Sequence, residues 1–385
     1  MHDAVIVDAV RTPSGRGKPG GALSGVHPAE LLATVLSALI ERTGLDPAAV
    51  DDVIAGCVGQ IGEQAYNIAR NALLGAGFPE SVPGVTIDRQ CGSSQQATAF
   101  AAQGVMAGQY DIVIACGVES MSRVPLGSSA NGQDPFGPGM AERYPEGLVN
   151  QGIAAELIAD RWGFDRRELD DYAARSHQRA AAADFSGELV PVGGATMDET
   201  IRAGTSAEGL AGLQPAFRTE EAAARFPELD WRITAGNSSP LTDGASAALI
   251  MSAERAAELG LRARAVFRGF AAVGSDPLLM LTGVIPATRR ILARTGLGLD
   301  EIDVYEVNEA FASVPLAWQA EFEADGERLN PWGGAIALGH PLGASGTRLL
   351  ATMLDYLEAT GGRYGLQTMC EGGGMANATV IEVMR

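Results

Sequence analysis

Cysteine is scarce in this chain. There are four among 385 residues, Cys57, Cys91, Cys116 and Cys370, far apart and with no CxxC pair. That spacing excludes a disulfide framework and a cysteine-built structural zinc site, so no metal is expected. Positive charge is also short: 28 Lys and Arg stand against 47 Asp and Glu, a formal net charge of −19. A general nucleic-acid or anionic-membrane surface needs the opposite field, and neither partner is expected. An anionic ligand would have to be met by a local cluster of donors. No apolar run approaches the ~18 residues of a membrane-spanning helix. The N-terminus MHDAVIVDAV has no basic stretch, and Asp8 interrupts its apolar run, so it reads as a strand rather than a signal peptide. The expectation is a soluble, cytoplasmic protein.

What is present points to a large core. Hydrophobic residues make up 46% of the chain, which excludes disorder, and 49 glycines ask for many tight turns or close backbone approaches. Short β-rich runs alternate with alanine-rich helical patterns, the mark of an α/β protein. Strands are expected at 4–10, 50–58, 84–89 and 110–117. A second, similar set begins at 245–252 and continues through 264–274, 300–311, 329–339, 363–373 and 378–385. The order of elements in the two sets is alike, a weak internal duplication. Between them, residues 121–150 hold Pro125, Pro135, Pro138 and Pro145, and 146–183 reads as two helices broken at Gly163. Residues 121 to about 240 therefore look like an insertion capping the core.

Four segments place a reactive residue at a strand-to-helix junction. In IDRQCGSSQQATAFAAQGV, Ala97, Phe100, Ala101, Gly104 and Val105 follow helical spacing after Cys91. Cys91 then lies at a helix N-terminus, where free N–H groups and the dipole lower a thiol pKa, and Gly92, Ser93 and Ser94 favour a tight, exposed turn. A buried structural cysteine is the alternative. In GGAIALGHPLGASG, His340 falls between a Gly-rich strand end and a helix, with Pro341 in the first helical turn; ligand and structural roles are evenly matched. In VYEVNEAFASV, Asn308 can orient a water or donate to an oxyanion, or simply cap a helix. In MCEGGGMAN, Cys370 precedes three glycines that let backbone N–H groups approach a carbonyl, although the segment by itself favours a plain turn with a buried cysteine. Together the segments supply a nucleophile, a base, an oxyanion site and a second acid/base. Cys57 and Cys116 fall in apolar strand runs and read as core. His2, His27 and His177 read as solvated.

These blocks resemble the signatures of the thiolase family: RQCGSS around Cys91, NEAFA at 308–312, GGAIALGHPLGASG at 333–346 and CEGGG at 370–374. TAGNSSPLTDGASA (234–247) is similar to the family's CoA-contacting turn, and the resemblance covers essentially the whole chain. It implies a five-layered αβαβα core of two similar halves with an inserted loop domain. The halves would be 1–120, completed by about 241–260, and 261–385, with 121–240 as the cap over the CoA site.

By the same resemblance, Cys91 would be the acylated nucleophile, His340 its base and Cys370 the second acid/base. Asn308, through a water, and His340 would form one oxyanion site, and the backbone N–H groups of Cys91 and Gly372 the other. Ser239 and Phe217 match CoA-contacting positions. Asn150, Gln151 and Met280 match residues bordering the acyl pocket, where many short-chain biosynthetic thiolases carry His-Met in place of Asn150-Gln151. The implied activity is CoA-dependent cleavage of a 3-ketoacyl-CoA, in the pattern of degradative, broad-range or steroid-type thiolases. Coenzyme A would be a co-substrate with no permanently bound cofactor, and the assembly a homodimer or homotetramer. The alternatives are an acetyl-CoA acetyltransferase making acetoacetyl-CoA, a related ketosynthase, which usually lacks a thiol like Cys370, and a non-catalytic lipid-binding relative, which would lack Cys91, His340 or Cys370.

Overall fold

The structure, a computed structural model, describes residues 2–384. The strands among them are β1 (Ala4–Arg11), β2 (Gly15–Arg16), β3 (Asp52–Gly56), β4 (Gly84–Ile87), β5 (Ile112–Ser120), β6 (Thr242–Ser252), β7 (Ala265–Gly274), β8 (Val304–Val307), β9 (Tyr364–Glu371) and β10 (Met375–Val383). The first helices are α1 (Pro28–Thr43), α2 (Ile68–Gly75) and α3 (Ser93–Met106). Between β5 and β6 come α4 (Gly137–Arg143), α5 (Gln151–Trp162), α6 (Arg166–Ala182), α7 (Ala207–Leu210) and α8 (Glu220–Arg225). The rest are α9 (Ala253–Glu258), α10 (Val284–Thr295), α11 (Ser313–Phe322), α12 (Ala335–Leu338) and α13 (Ser345–Thr360).

Strand order runs β4-β3-β5-β6-β1 and then β7-β10-β9-β8. The junction is thin, since β1 and β7 pair only at Val5 with Val266 and Ile6 with Ala265. In the first half β3 is parallel to β4 and β5, and β6 is antiparallel to β5 and β1. The second half repeats the rule: β8 is parallel to β9, and β10 is antiparallel to β9 and β7. A lone parallel bridge from Tyr305 to Leu329 stands where β4 stood in the first half. The duplication is therefore one of sheet topology.

The apolar pattern of each helix decides its layer. On α3, Ala97, Ala101, Ala102 and Val105 are buried; on α13, Leu350, Met353, Leu354 and Leu357 are. They share one core with Ile6 and Ile250 of the first half and Phe267, Val304 and Ile381 of the second. These two helices thus form the middle layer. Leu31, Val35, Leu36 and Leu39 of α1 cover the outer face of the first half, and Val284, Ala287 and Ile291 of α10 cover that of the second. The result is the five-layered αβαβα arrangement.

The β5–β6 connection is fastened to β1 by charge. Arg11 is fully buried and donates to Glu188 and to both oxygens of Asp198, at 2.7 and 3.0 Å. Asp198 also accepts from the Ser14 amide.

Three local expectations fail. Residues 329–339 are not a strand: after the bridge at Leu329 the chain forms the one-turn α12, which ends at Gly339 in a positive-φ turn. Pro341 lies ahead of a 3-10 turn (Leu342–Ala344), four residues before α13 rather than in its first turn. Phe100 is exposed, because the small residues of α3 alone can face the narrow space between the sheets.

Glycine makes the middle layer fit. A Cβ on Gly343 would come within 2.4 Å of the Val118 carbonyl and 2.6 Å of the Gly56 carbonyl, and one on Gly346 within 2.1 Å of the Gln95 nitrogen. Replacing Gly343 by alanine should therefore destabilise the fold by about 1–3 kcal/mol through overpacking. The measurement is a lower urea midpoint at unchanged slope; an unmoved midpoint would mean that this loop is free to shift.

Candidate active site

Cys91 lies two residues ahead of α3, with Gly92 as the helix cap. Gln90 takes a left-handed conformation (φ 48°), and the Ser93 hydroxyl accepts from the Arg89 amide and donates to the Gln90 carbonyl, closing the turn. The turn is not exposed: Cys91 is 2% accessible, and Ser93 and Ser94 are fully buried. The Gln151 side chain and the backbone N–H groups of Cys91 and Gly372 are directed at the sulfur and favour its ionised form. Burial and the nearby Glu371 outweigh them and push the thiol up to about 12. The expected lowering by the helix terminus is thus reversed, because desolvation of a buried anion exceeds a half-charge of dipole.

His340 is buried in the loop leading to α13. Its Nδ1 lies 2.6 Å from Ser345 Oγ, and the Ser345 hydroxyl donates to the Pro341 carbonyl at 2.8 Å. The hydroxyl hydrogen is therefore committed, so Oγ accepts from Nδ1–H and Nε2 is left bare. Asn308 Nδ2 faces that nitrogen at 3.3 Å, while Asn308 Oδ1 is buried without a partner, a position suited to a water. Burial and the cation of Arg348 push the imidazole down to about 3, so it rests neutral.

Cys370 is the penultimate residue of β9, fully buried, and its thiol is pushed up by burial, by Cys91 and by Glu371. The two thiols thus act on each other. The N-terminal turns of α3 and α13 are tied by Thr347 N–H donating to Ser94 Oγ at 3.1 Å. Two buried carboxylates brace the surrounding loops. Glu119 accepts from the amides of Val58, Gly59 and Gly343 and from Gln64 Nε2, all at 2.9–3.0 Å. Glu309 accepts from Tyr172, Ser176, Asn330 and the Ile336 amide. No cluster of three or more metal-ligating acidic, His or Cys side chains occurs among the described residues.

The models of the thiolase N-terminal domain and the thiolase C-terminal domain match residues 4–254 and 261–383. The chain belongs to the thiolase family. It is 49% identical to a steroid 3-ketoacyl-CoA thiolase of Mycobacterium tuberculosis, covering 99% of this chain and 94% of that protein. A 3-ketoacyl-CoA thiolase of Serratia proteamaculans is 43% identical over 99% of this chain and 100% of its own. The crystal structure of the acetyl-CoA acetyltransferase of Bacillus anthracis superposes with a TM-score of 0.88 at 38% identity, covering 100% of this chain and 99% of that one.

The remaining candidate residues of this thiolase each have local partners. Gln151 is directed at the Cys91 sulfur, but Asn150 is exposed and caps α5 through the Ile153 amide at 3.0 Å. Met280 is buried at φ 47° beside Leu281 in the second-half core. Phe217 stacks edge-on against Phe311, 5.7 Å between centroids, and Ser239 is half-buried with its amide bound to the Ala310 carbonyl. Cys57 and Cys116 are buried in the first-half core as expected. His177 is not solvated: it is buried, accepts from the Arg202 amide and is pushed down to about 4 by burial. His27 caps α1 through the Ala29 amide.

Ser345 and Glu371 carried no signal in the sequence, since a serine near a helix start and a glutamate beside glycines are ordinary. Ser345→Ala should release the Nδ1 proton from its acceptor and let the imidazole turn. Alkylation of Cys91 at pH 8 should then slow by roughly 10-fold, a part of what a positioned base supplies, with little change in unfolding midpoint. An unchanged rate would show that Ser345 does not hold the ring.

Proposed function

We propose that this thiolase is a 3-ketoacyl-CoA thiolase acting in the degradative direction, with Cys91 as nucleophile, His340 as base and Cys370 as second acid/base. The observation that carries the reading is the pair of buried thiols that act on each other, together with a neutral imidazole whose Nε2 is bare. Neither thiol is ionised at rest, so proton transfer must accompany bond formation.

As Cys91 Sγ attacks the 3-keto carbon, Nε2 of His340 takes the thiol proton, and the N–H groups of Cys91 and Gly372 receive the oxyanion. The bond between the keto carbon and the α-carbon breaks. Its electron pair leaves on acetyl-CoA as an enolate, whose oxygen meets the new Nε2–H and a water held by Asn308. Cys370 gives its proton to the α-carbon and becomes a thiolate. In the second half-reaction Cys370 takes the proton of the CoA thiol, and the CoA sulfur attacks the acyl-Cys91 thioester. His340 then returns its proton to Cys91. Protons balance over the two steps, and no bound cofactor is needed beyond coenzyme A as co-substrate.

Support for the longer or bulkier substrate comes from the relatives that share more identity with this chain, which carry the names of 3-ketoacyl-CoA and steroid 3-ketoacyl-CoA thiolases. The same reading makes the protein a homodimer or homotetramer, in keeping with the exposed Val85 of the edge strand β4 and the exposed Phe100.

The test is CoA-dependent cleavage across 3-ketoacyl-CoAs from acetoacetyl-CoA to long-chain and sterol-derived thioesters. Preference for the longer or bulky ones is expected; cleavage confined to acetoacetyl-CoA would make it an acetyltransferase. Cys91→Ala should form no acyl-enzyme by mass spectrometry. Cys370→Ala should still acylate but lose exchange of the α-proton of acetyl-CoA; retained exchange would place the second acid/base elsewhere.

A further inference from the structure

The mechanism leaves one buried titratable group beside both thiols without a task. Glu371 follows Cys370 at the end of β9, where its register partner is Met375. It is fully buried, and neither carboxyl oxygen has a hydrogen-bond partner. The carboxyl is packed onto the residue after the nucleophile: a Cβ on Gly92 would come within 2.1 Å of Glu371 Oε1 and 2.8 Å of Asn377 Nδ2. Asn377 Nδ2 donates to the Gly92 carbonyl at 3.1 Å, and Asn377 Oδ1 lacks a donor. This contrasts with Glu119 and Glu309, each of which collects four donors.

We propose that Glu371 is a positioning residue that controls the ionisation of Cys91 and Cys370 through its own charge, permitting thiol chemistry while protonated and suppressing it once ionised. An ionised carboxylate buried without a donor is strongly disfavoured, whereas the acid form carries a hydrogen for which Asn377 Oδ1 is an acceptor without a donor. The charged and titratable groups facing the carboxyl are few. Arg89 and Asp88 approach from the loop before Cys91, and the two thiols lie within reach of its charge. Arg89 favours the charged form, yet its Nε makes no hydrogen bond, and burial prevails. The carboxyl is held up to about 8, so it crosses from neutral to charged just above neutrality. Its negative charge then raises both thiols, the sign seen at each of them.

The inference rests on the proposed roles of the two cysteines but is tested without any acyl-CoA. The rate of Cys91 alkylation by iodoacetamide is followed from pH 6 to 10 by peptide mass spectrometry, in the native protein and in Glu371→Gln. At pH 6 the two rates should agree within about twofold. At pH 9 the variant should react about tenfold faster, the equivalent of one pKa unit, because the native profile flattens as Glu371 ionises. Glu371→Ala, which also removes the charge, should give the same divergence and serves if the first variant does not fold. Profiles that coincide at every pH, or that differ by one constant factor, would overturn the proposal, the latter showing a merely structural role. Failure to cleave 3-ketoacyl-CoAs would leave this result untouched.

Discussion

The close approach of two helix starts organises the rest of this molecule. Helices α3 and α13 are both enclosed between the two halves of the sheet, so neither can move without disturbing both. Their first turns touch through Gly346 against Gln95 and through the Thr347 amide on Ser94. Any side chain larger than hydrogen at 346 would separate them, and one at 343 would press on the Val118 and Gly56 carbonyls. Cys91 stands just before one of these turns and His340 just before the other, so the packing that closes the core also brings the chemistry together. The strand ends carrying Asn308 and Cys370 reach the same region because β8 and β9 are parallel neighbours.

Enclosure has an electrostatic cost that shapes the reaction. Burial, joined by Glu371 at the thiols and by Arg348 at the imidazole, holds Cys91 and Cys370 as thiols and His340 neutral. A standing thiolate–imidazolium pair, common in exposed cysteine enzymes, is unfavourable in such surroundings. Arg348 adds to this, being buried next to Glu306 with all three guanidinium nitrogens unpaired. On the proposed mechanism, charge therefore appears only when substrate supplies a carbonyl to receive it, and the donors that would stabilise it are fixed beforehand. Such preorganisation avoids reorganisation during the reaction.

Much of this could be read in the sequence. Alternation of apolar residues located β1, β3, β5, β6, β7, β9 and β10 to within a few residues, and glycine-flanked Cys91, His340 and Cys370 marked the junctions. What escaped depended on distant partners. The run 329–339 has the apolar content of a strand, but Glu309 holds the Ile336 amide and only Leu329 of the run bridges to Tyr305, so a helical turn results. Phe100 keeps perfect helical spacing and still faces outward, since spacing does not tell how much room the opposite sheet leaves. The lowering expected at Cys91 rests on a local helix dipole, whereas burial comes from the tertiary packing and Glu371 from β9, 280 positions along the chain. His177 looked solvated within a polar helix, but the chain at Arg202 folds over it.

The clamp at Arg11 bears on how the long β5–β6 connection entered this fold. Its charge is balanced by Glu188 and Asp198, both supplied by that connection. Excising the connection would strand a bare cation inside β1, an error of several kcal/mol. Shortening by recombination is thus blocked unless position 11 changes in the same event. The connection and the first strand are therefore bound to one evolutionary fate, and variants of its length should be found only within the stretches that lie outside the clamp.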